Sequence, residues 1–304
     1  MPLPNFLVIG VPKAGTTSLW KYLRQHPSVY LPDLKEPRFF IDIPESSLRH
    51  KKVSTIEAYR DLFDGVESES AIGEASAGYF SHVKNPACIK SVLGNPKLIL
   101  VLRNPIERAY SHFLFSKQKG LEPRSATFQS AIEESTVQIG KQTRHRPYVE
   151  IGFYYRHLKR WASVFGRERI KVLFFDDLED DSIDFVQRVY GYLGVDPEFE
   201  PEILAQRAKS GVPKYRAFYR LVAESGPVKD AAKRWMPEEA TECLRDWVEP
   251  FRVKLKNWSL EKPKISKKAF DQLAERYRRD IRHLENEVSR DLTGWLEYSG
   301  SISG

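Results

Sequence analysis

Residues 6–18 read FLVIGVPKAGTTS, an unbroken apolar run from Phe6 to Gly10, then a short glycine-bearing turn. The turn leads into SLWKYLRQH, where Leu19, Tyr22 and Leu23 recur at helical spacing, so the stretch predicts strand, loop and helix. In that context the turn from Gly10 to Thr17 can cradle a phosphate. Backbone N–H groups and a helix N-terminus face one anion, and the glycines let the chain approach it. Measured against the loop of nucleoside-triphosphate enzymes, Thr16 stands where a lysine should follow the second glycine, and the lysine sits inside the loop as Lys13.

Working outward, a second strand is expected at Ala71 to Gly73 and a third at Lys97 to Leu102 (KLILVL), with Arg103 directly after it. Strands apolar on both faces belong in a covered parallel sheet. The segment PIERAYSHFLFSKQKG has proline at its start and glycine at its end, as a helix should. Arg103 therefore falls in a strand-to-helix turn. A further strand, Ile170 to Phe175, precedes the acidic DDLEDD and the helix-like FVQRVYGYLG. The alternation predicts an α/β fold: a P-loop-type, doubly wound parallel sheet flanked by helices, read as a single domain over 1–304. Its C-terminal part, about 217–297, is expected to be helical, with EEATECLRDWVEPF and KKAFDQLAERYRRDIRHLENEV as two helices. Residues 41–70 and 121–148 are polar and lack a period, which predicts loops or short helices beside a site rather than core.

The balance of 48 basic against 41 acidic residues, net +7, favours anionic partners. The charges are interspersed, a pattern that suits a phosphorylated ligand better than long nucleic acid, and no zinc spacing or RNA-binding aromatic repeat is present. Cys88 and Cys243 are isolated, so neither a disulfide framework nor a metal site is expected, and both read as buried thiols in a reducing compartment. The start, MPLPNFLVIGVPK, has no basic leader or cleavage site, and no apolar stretch reaches membrane-spanning length. A cytoplasmic protein is the expectation.

Two segments carry a family resemblance. PKAGTTSLWKYLRQHPSV resembles the 5′-phosphosulfate loop of sulfotransferases that use 3′-phosphoadenosine 5′-phosphosulfate, and LRNPIERAYSHF is similar to their 3′-phosphate motif. They occur in the expected order, and LENEVSRDLTGWL is similar to the end of many such domains. The resemblance implies that Lys13, Ala14, Gly15, Thr16, Thr17 and Ser18 hold the 5′-phosphosulfate, while Arg103 and Ser111 hold the 3′-phosphate. Arg103 also suits that role by its chemistry, a planar fork fixed at a strand end. The segment KSGVPKYR resembles the family's late loop over the nucleotide, which makes Lys209, Gly211, Lys214 and Arg216 candidates.

Sulfuryl transfer needs in-line positioning and charge stabilisation, but the moving group carries less charge than a phosphoryl group, so no metal is expected. Lys13 is suited to neutralise the bridging oxygen of the leaving phosphate. The acceptor hydroxyl needs a base within hydrogen-bond reach. Glu36 is the first candidate, because LPDLKEPRFF resembles the KE-x-x-FF segment of heparan-type and related bacterial sulfotransferases, with Lys35 assisting at the donor. Glu74, in IGEASAGYF, resembles the family's second glutamate, expected near the substrate together with Arg38 and Tyr155. The chain departs from glycan-modifying relatives at Ala75, where lysine is common, and at Arg38, where histidine often stands. His112 points about a quarter-turn from Ser111 and is read as structural. Of Tyr154 and Tyr155, core packing is expected for one and ligand contact for the other.

The expected acceptor is a carbohydrate, lipid or other small molecule. Two other classes stay open. One is a kinase using Mg-ATP, for which Asp176 could supply the acid, although KLILVL ends in Arg103 rather than a carboxylate. The other is a non-catalytic phosphoadenosine-binding module.

Overall fold

The computed structural model describes residues 2–41, 53–134, 136–139, 142–203, 212–213, 260–261 and 264–298. Its centre is the apolar run that opens the sequence: β1 (Phe6–Gly10) is buried along its whole length. Strand β1 lies between β3 (Ala71–Ala75) and β4 (Lys97–Leu102), and β2 (Val29–Tyr30) and β7 (Ile170–Phe174) extend the sheet at either side. The order is β2-β3-β1-β4-β7 and every pairing is parallel.

Such a sheet must be covered on both faces. Helix α1 (Thr16–Leu23) packs with α8 (Ser182–Leu193). Helix α6 (Tyr154–Phe165) packs with α3 (Asn85–Leu93) and with the long C-terminal helix α9 (Lys267–Val288). Right-handed crossovers account for the two layers, because the chain leaves β1 in one direction toward β2 and returns in the other toward β4 and β7. The loops after β1 and β4 therefore diverge. This is the switch point at which doubly wound sheets open a crevice at their carboxyl ends.

The tail helix α9 follows its pattern: Phe270, Leu273, Ala274, Tyr277, Ile281 and Leu284 are buried at helical spacing, and the Ser266 side chain accepts from Ala269 N. The expected helix EEATECLRDWVEPF lies outside the described residues.

The acidic stretch after β7 lies in a helix, α7 (Phe175–Asp180), with Asp176 and Asp177 in the first turn, where the helix dipole favours them. Three expectations need correction. The 41–70 region reaches the core, since α2 (Ile56–Asp61) and the turn after it bury Tyr59 and Phe63 completely. The 121–148 region does so too: α5 (Phe128–Glu133) buries Phe128, Ala131 and Ile132, and the hairpin β5 (Thr136–Ile139) and β6 (Gln142–His145) follows. Beside it Arg146 and Glu122 form a buried ion pair at 2.8 Å, and Tyr148 OH donates to Glu122 at 2.8 Å. Polar composition hid this packing because the buried charges satisfy one another. Cys88 is an exposed thiol on α3 rather than a buried one, and Cys243 lies outside the described residues. Among the described residues no helix is long and apolar enough to cross a membrane.

Candidate active site

The turn after β1 is tied to its neighbour strand at once, as Val11 N donates to Val101 O of β4 at 2.9 Å. Lys13 (φ 73°) and Gly15 (φ 80°) then take left-handed conformations. For Lys13 that conformation costs on the order of 1 kcal/mol, which the surrounding contacts must offset. At Gly15 a side chain is excluded twice over. Besides its φ, a Cβ would come within 2.4 Å of Leu178 Cδ2 and 3.1 Å of Phe175 Cδ2, because α7 packs directly beneath the turn. Helix α1 starts at Thr16 with no side-chain cap, so the N–H groups of Thr16, Thr17 and Ser18 are first-turn donors of the kind an anion can take up. Ala14 and Thr16 are buried and Thr17 is exposed, so Ala14 can offer a ligand only its backbone.

Arg103 follows β4 and precedes α4 (Pro105–Gln118), whose N-cap Asn104 accepts from Ile106 N at 3.0 Å. Only 5% exposed, the Arg103 guanidinium stacks over the Phe175 ring at 4.4 Å. Its Nη1 donates to the backbone oxygen of Lys13 at 3.4 Å, and its Nη2 pairs with Glu107 at 3.0 Å. From below, Tyr154 OH donates to Arg103 O at 2.9 Å. On α4 the buried Ser111 shares a helix face with Phe115, one turn on, and Lys13 Nζ lies 4.5 Å from the Phe115 ring centre. Two segments far apart in the chain thus meet at the crevice between β1 and β4.

On the other side of β1, at the end of β3, runs a strap, Leu34 to Ile41, whose Glu36 N donates to Ala75 O at 3.0 Å. Its phenylalanines anchor it: Phe39 stacks on Tyr59 at 4.6 Å, and Phe40 meets Tyr79 edge-on at 5.7 Å. Its charges converge on Glu36, with Lys35 Nζ at 3.1 Å from Oε1 and Arg38 Nε at 3.0 Å from Oε2. Partial burial works to raise the Glu36 pKa, but the two cations outweigh it and hold the carboxyl below its ordinary value. Glu36 is therefore ionised at neutral pH.

Glu74, expected as a substrate contact, is completely buried beneath the strap. Burial pushes its pKa up to about 7, against the hydroxyls of Tyr79, Ser76 and Tyr59, of which Ser76 donates at 2.8 Å and Tyr59 at 3.4 Å. Tyr155 is taken up by α9, stacking on His283 at 5.0 Å while its N–H donates to Asp280, so the structure does not bring it to the other candidates. His112 meets the Tyr148 ring edge-on and lies beside Arg108; burial, then the charges of Arg108 and Lys13, lower its pKa to about 3. It is a neutral, packed imidazole. Asp176 lines a cleft of about 380 Å³ with Glu179, Asp180, Arg290, Trp295 and Glu107, the ion-pair partner of Arg103. Among the described residues no group of three or more His, Cys, Asp or Glu is arranged to hold a metal ion. Lys209, Gly211, Lys214 and Arg216 lie outside the described residues, although the two-residue strand β8 (Val212–Pro213), paired with β9 (Leu260–Glu261), runs beside α4. Sequence reasoning missed Ser76, Phe115 and Phe175, none of which has a local signal.

A glycine turn at the end of the central strand, an arginine at the end of the next, and a switch-point crevice between them define an α/β protein of the phosphate-loop kind. The chain belongs to the sulfotransferase domain family, whose model matches residues 3–232. It is 30% identical over 205 residues to the bifunctional heparan sulfate N-deacetylase/N-sulfotransferase 4 of Mus musculus, covering 65% of this chain and 23% of the relative. Against the heparan sulfate glucosamine 3-O-sulfotransferase 3B1 of Mus musculus it is 27% identical over 259 residues, covering 83% and 62%. The chain spans only part of these curated relatives, from about a quarter to three fifths of their length. A solved sulfotransferase from Alicyclobacillus acidocaldarius has the same fold, with a TM-score of 0.70, 24% identity and coverage of 98% of this chain and 100% of that one.

Proposed function

We propose that this protein transfers a sulfuryl group from 3′-phosphoadenosine 5′-phosphosulfate to a hydroxyl of a carbohydrate acceptor. The observation that carries the reading is the contact of Arg103 with the Lys13 backbone, which sets a guanidinium and a glycine turn at one crevice, able to grip the two phosphate ends of one adenosine nucleotide. The backbone donors of Gly15 to Ser18 hold the 5′-phosphosulfate, and Arg103 with Ser111 holds the 3′-phosphate. The late segment with Lys209, Gly211 and Lys214 covers the nucleotide, a role supported by the course of β8 beside α4.

In the transfer the acceptor oxygen bonds to sulfur as the bond from sulfur to the 5′-phosphate oxygen breaks. Lys13 neutralises the charge that gathers on that leaving oxygen, and no metal is invoked. The acceptor proton passes to Glu36, whose carboxylate is already ionised. For this the hydroxyl displaces one of the two cations now bonded to it, Lys35 or Arg38, which then serve the donor and the acceptor respectively. The carbohydrate acceptor is supported by the relatives named for heparan sulfate and its glucosamine.

The test is a pair of calorimetric titrations and a transfer assay. Adenosine 3′,5′-bisphosphate should bind without magnesium and far more tightly than ATP, and label from the sulfur-35 donor should reach hydroxyl oxygens of an O-desulfated, N-sulfated heparan oligosaccharide. Tighter binding of Mg-ATP would replace this reading with that of a kinase, and nucleotide binding without transfer to any sugar, lipid or phenol would leave a binding module.

A further inference from the structure

Three consecutive residues at the end of β3 hold the strap, and they do so from inside the protein. Glu36 N donates to Ala75 O at 3.0 Å, and Arg38 N donates to Ser76 Oγ at 3.1 Å. Ser76 is itself fixed to the strand that feeds the phosphate turn, since its N–H donates to Val8 O at 3.1 Å. Glu36 and Arg38 have φ of 62° and 55°, left-handed values that non-glycine residues seldom adopt, so the strap needs such bonds to keep its shape.

A serine hydroxyl has one proton. With that proton given to Glu74 Oε2 at 2.8 Å, the Ser76 lone pairs are left facing the Arg38 amide. The other carboxyl oxygen of Glu74 accepts from Tyr59 OH at 3.4 Å, and the Tyr59 ring stacks on Phe39 of the strap. Both oxygens of one fully buried carboxyl thus lead to the strap, one through its backbone and one through a side chain. A carboxyl sealed from solvent is costly unless hydrogen-bonded, and a site designed only for packing would favour an apolar residue there.

We propose that Glu74 is a positioning residue for the base: through Ser76 and Tyr59 it holds the strap so that Glu36 faces the turn that grips the donor. The inference rests on the function proposed above only for the role of Glu36; the clamp itself is a statement about the strap. Glu74 touches neither donor nor acceptor.

Amide hydrogen exchange on the full chain tests the clamp without any acceptor. In Ser76→Ala the peptide spanning residues 35–41 should exchange at least tenfold faster, while the peptide over the phosphate turn is unchanged. Glu74→Met should do the same, and Glu74→Gln, whose amide oxygen still accepts from Ser76, should keep most of the protection. In the sulfur-35 assay with the O-desulfated, N-sulfated heparan oligosaccharide, Ser76→Ala should lower kcat at least tenfold with the Kd for adenosine 3′,5′-bisphosphate within twofold of the unaltered protein. Unchanged strap exchange in Ser76→Ala and Glu74→Met would overturn the proposal, as would unchanged kcat in both. Should Ser76→Ala fail to fold, Glu74→Gln against Glu74→Met decides, with equal loss in the two counting against the clamp. Failure of the unaltered chain to bind the nucleotide would strike the functional reading alone, because the exchange measurement stands without it.

Discussion

The two walls of the candidate site, the turn after β1 and the strap at the end of β3, are held by different means. On the donor side the geometry leans on main chain: the turn after β1 hangs from β4, Arg103 donates to the Lys13 carbonyl, and the apolar side chains Phe175 and Leu178 of α7 support both from below. On the acceptor side a strap with two left-handed non-glycine residues is held by a small buried polar set, Glu74, Ser76 and Tyr59. A wall built on parallel strands inherits the rigidity of the sheet, whereas a wall built on a few hydrogen bonds depends on each of them. The difference teaches where variation can enter: the acceptor side can be reshaped without disturbing the grip on the nucleotide.

Breaking the donor wall should have the largest effect. Lys13→Ala removes the cation at the leaving oxygen, and transfer should fall by roughly a thousandfold in a single-turnover assay with the labelled donor. If transfer persists, the charge is neutralised by another group and the division between the walls is wrongly drawn. Glu36→Gln breaks the acceptor wall at its functional point. Turnover should fall by about a hundredfold, with nucleotide affinity retained in calorimetry. Full activity would remove Glu36 as the base.

Arg103→Ala sharpens the comparison from the binding side. Loss of charge-assisted hydrogen bonds should raise the Kd for adenosine 3′,5′-bisphosphate by about tenfold to a hundredfold. The effect of Arg38→Gln should be smallest and should appear in pH dependence. Arg38 is one of the two cations that hold the Glu36 pKa below its ordinary value, so its loss raises that pKa. A base must be ionised to act, so the acidic limb of the kcat profile should move to higher pH while the plateau changes little. A limb that stays in place would mean that another group sets it.

The donor wall was legible because local chemistry and sheet topology agree there. Glycine at 15, lysine at 13 and arginine after KLILVL each have a backbone or charge reason visible in one dimension, and alternating strands and helices bring their ends together. The acceptor wall was legible only in part. KEPRFF announced an anchored, charged loop, and Phe39 and Phe40 do anchor it. That Glu74 would be sealed beneath that loop rather than exposed at the site could not be read, since a strand residue faces either the interior or the site according to what packs over it. The core roles of Tyr59 and Phe63 were hidden likewise, because a six-residue helix is too short for a period to show. Tyr155 failed as a candidate because α9, more than a hundred positions later, claims its ring.

Periodicity, turn residues and the charge at strand ends, all properties of neighbours along the chain, were enough to determine the parallel sheet, the glycine turn after its central strand and the arginine at the end of the next. Which groups are buried together was decided only in three dimensions, by segments from β3, the strap and α2 closing on one another. Burial and hydrogen-bond pairing depend on the whole fold, and they left one glutamate partly exposed between two cations and sealed the other in the interior.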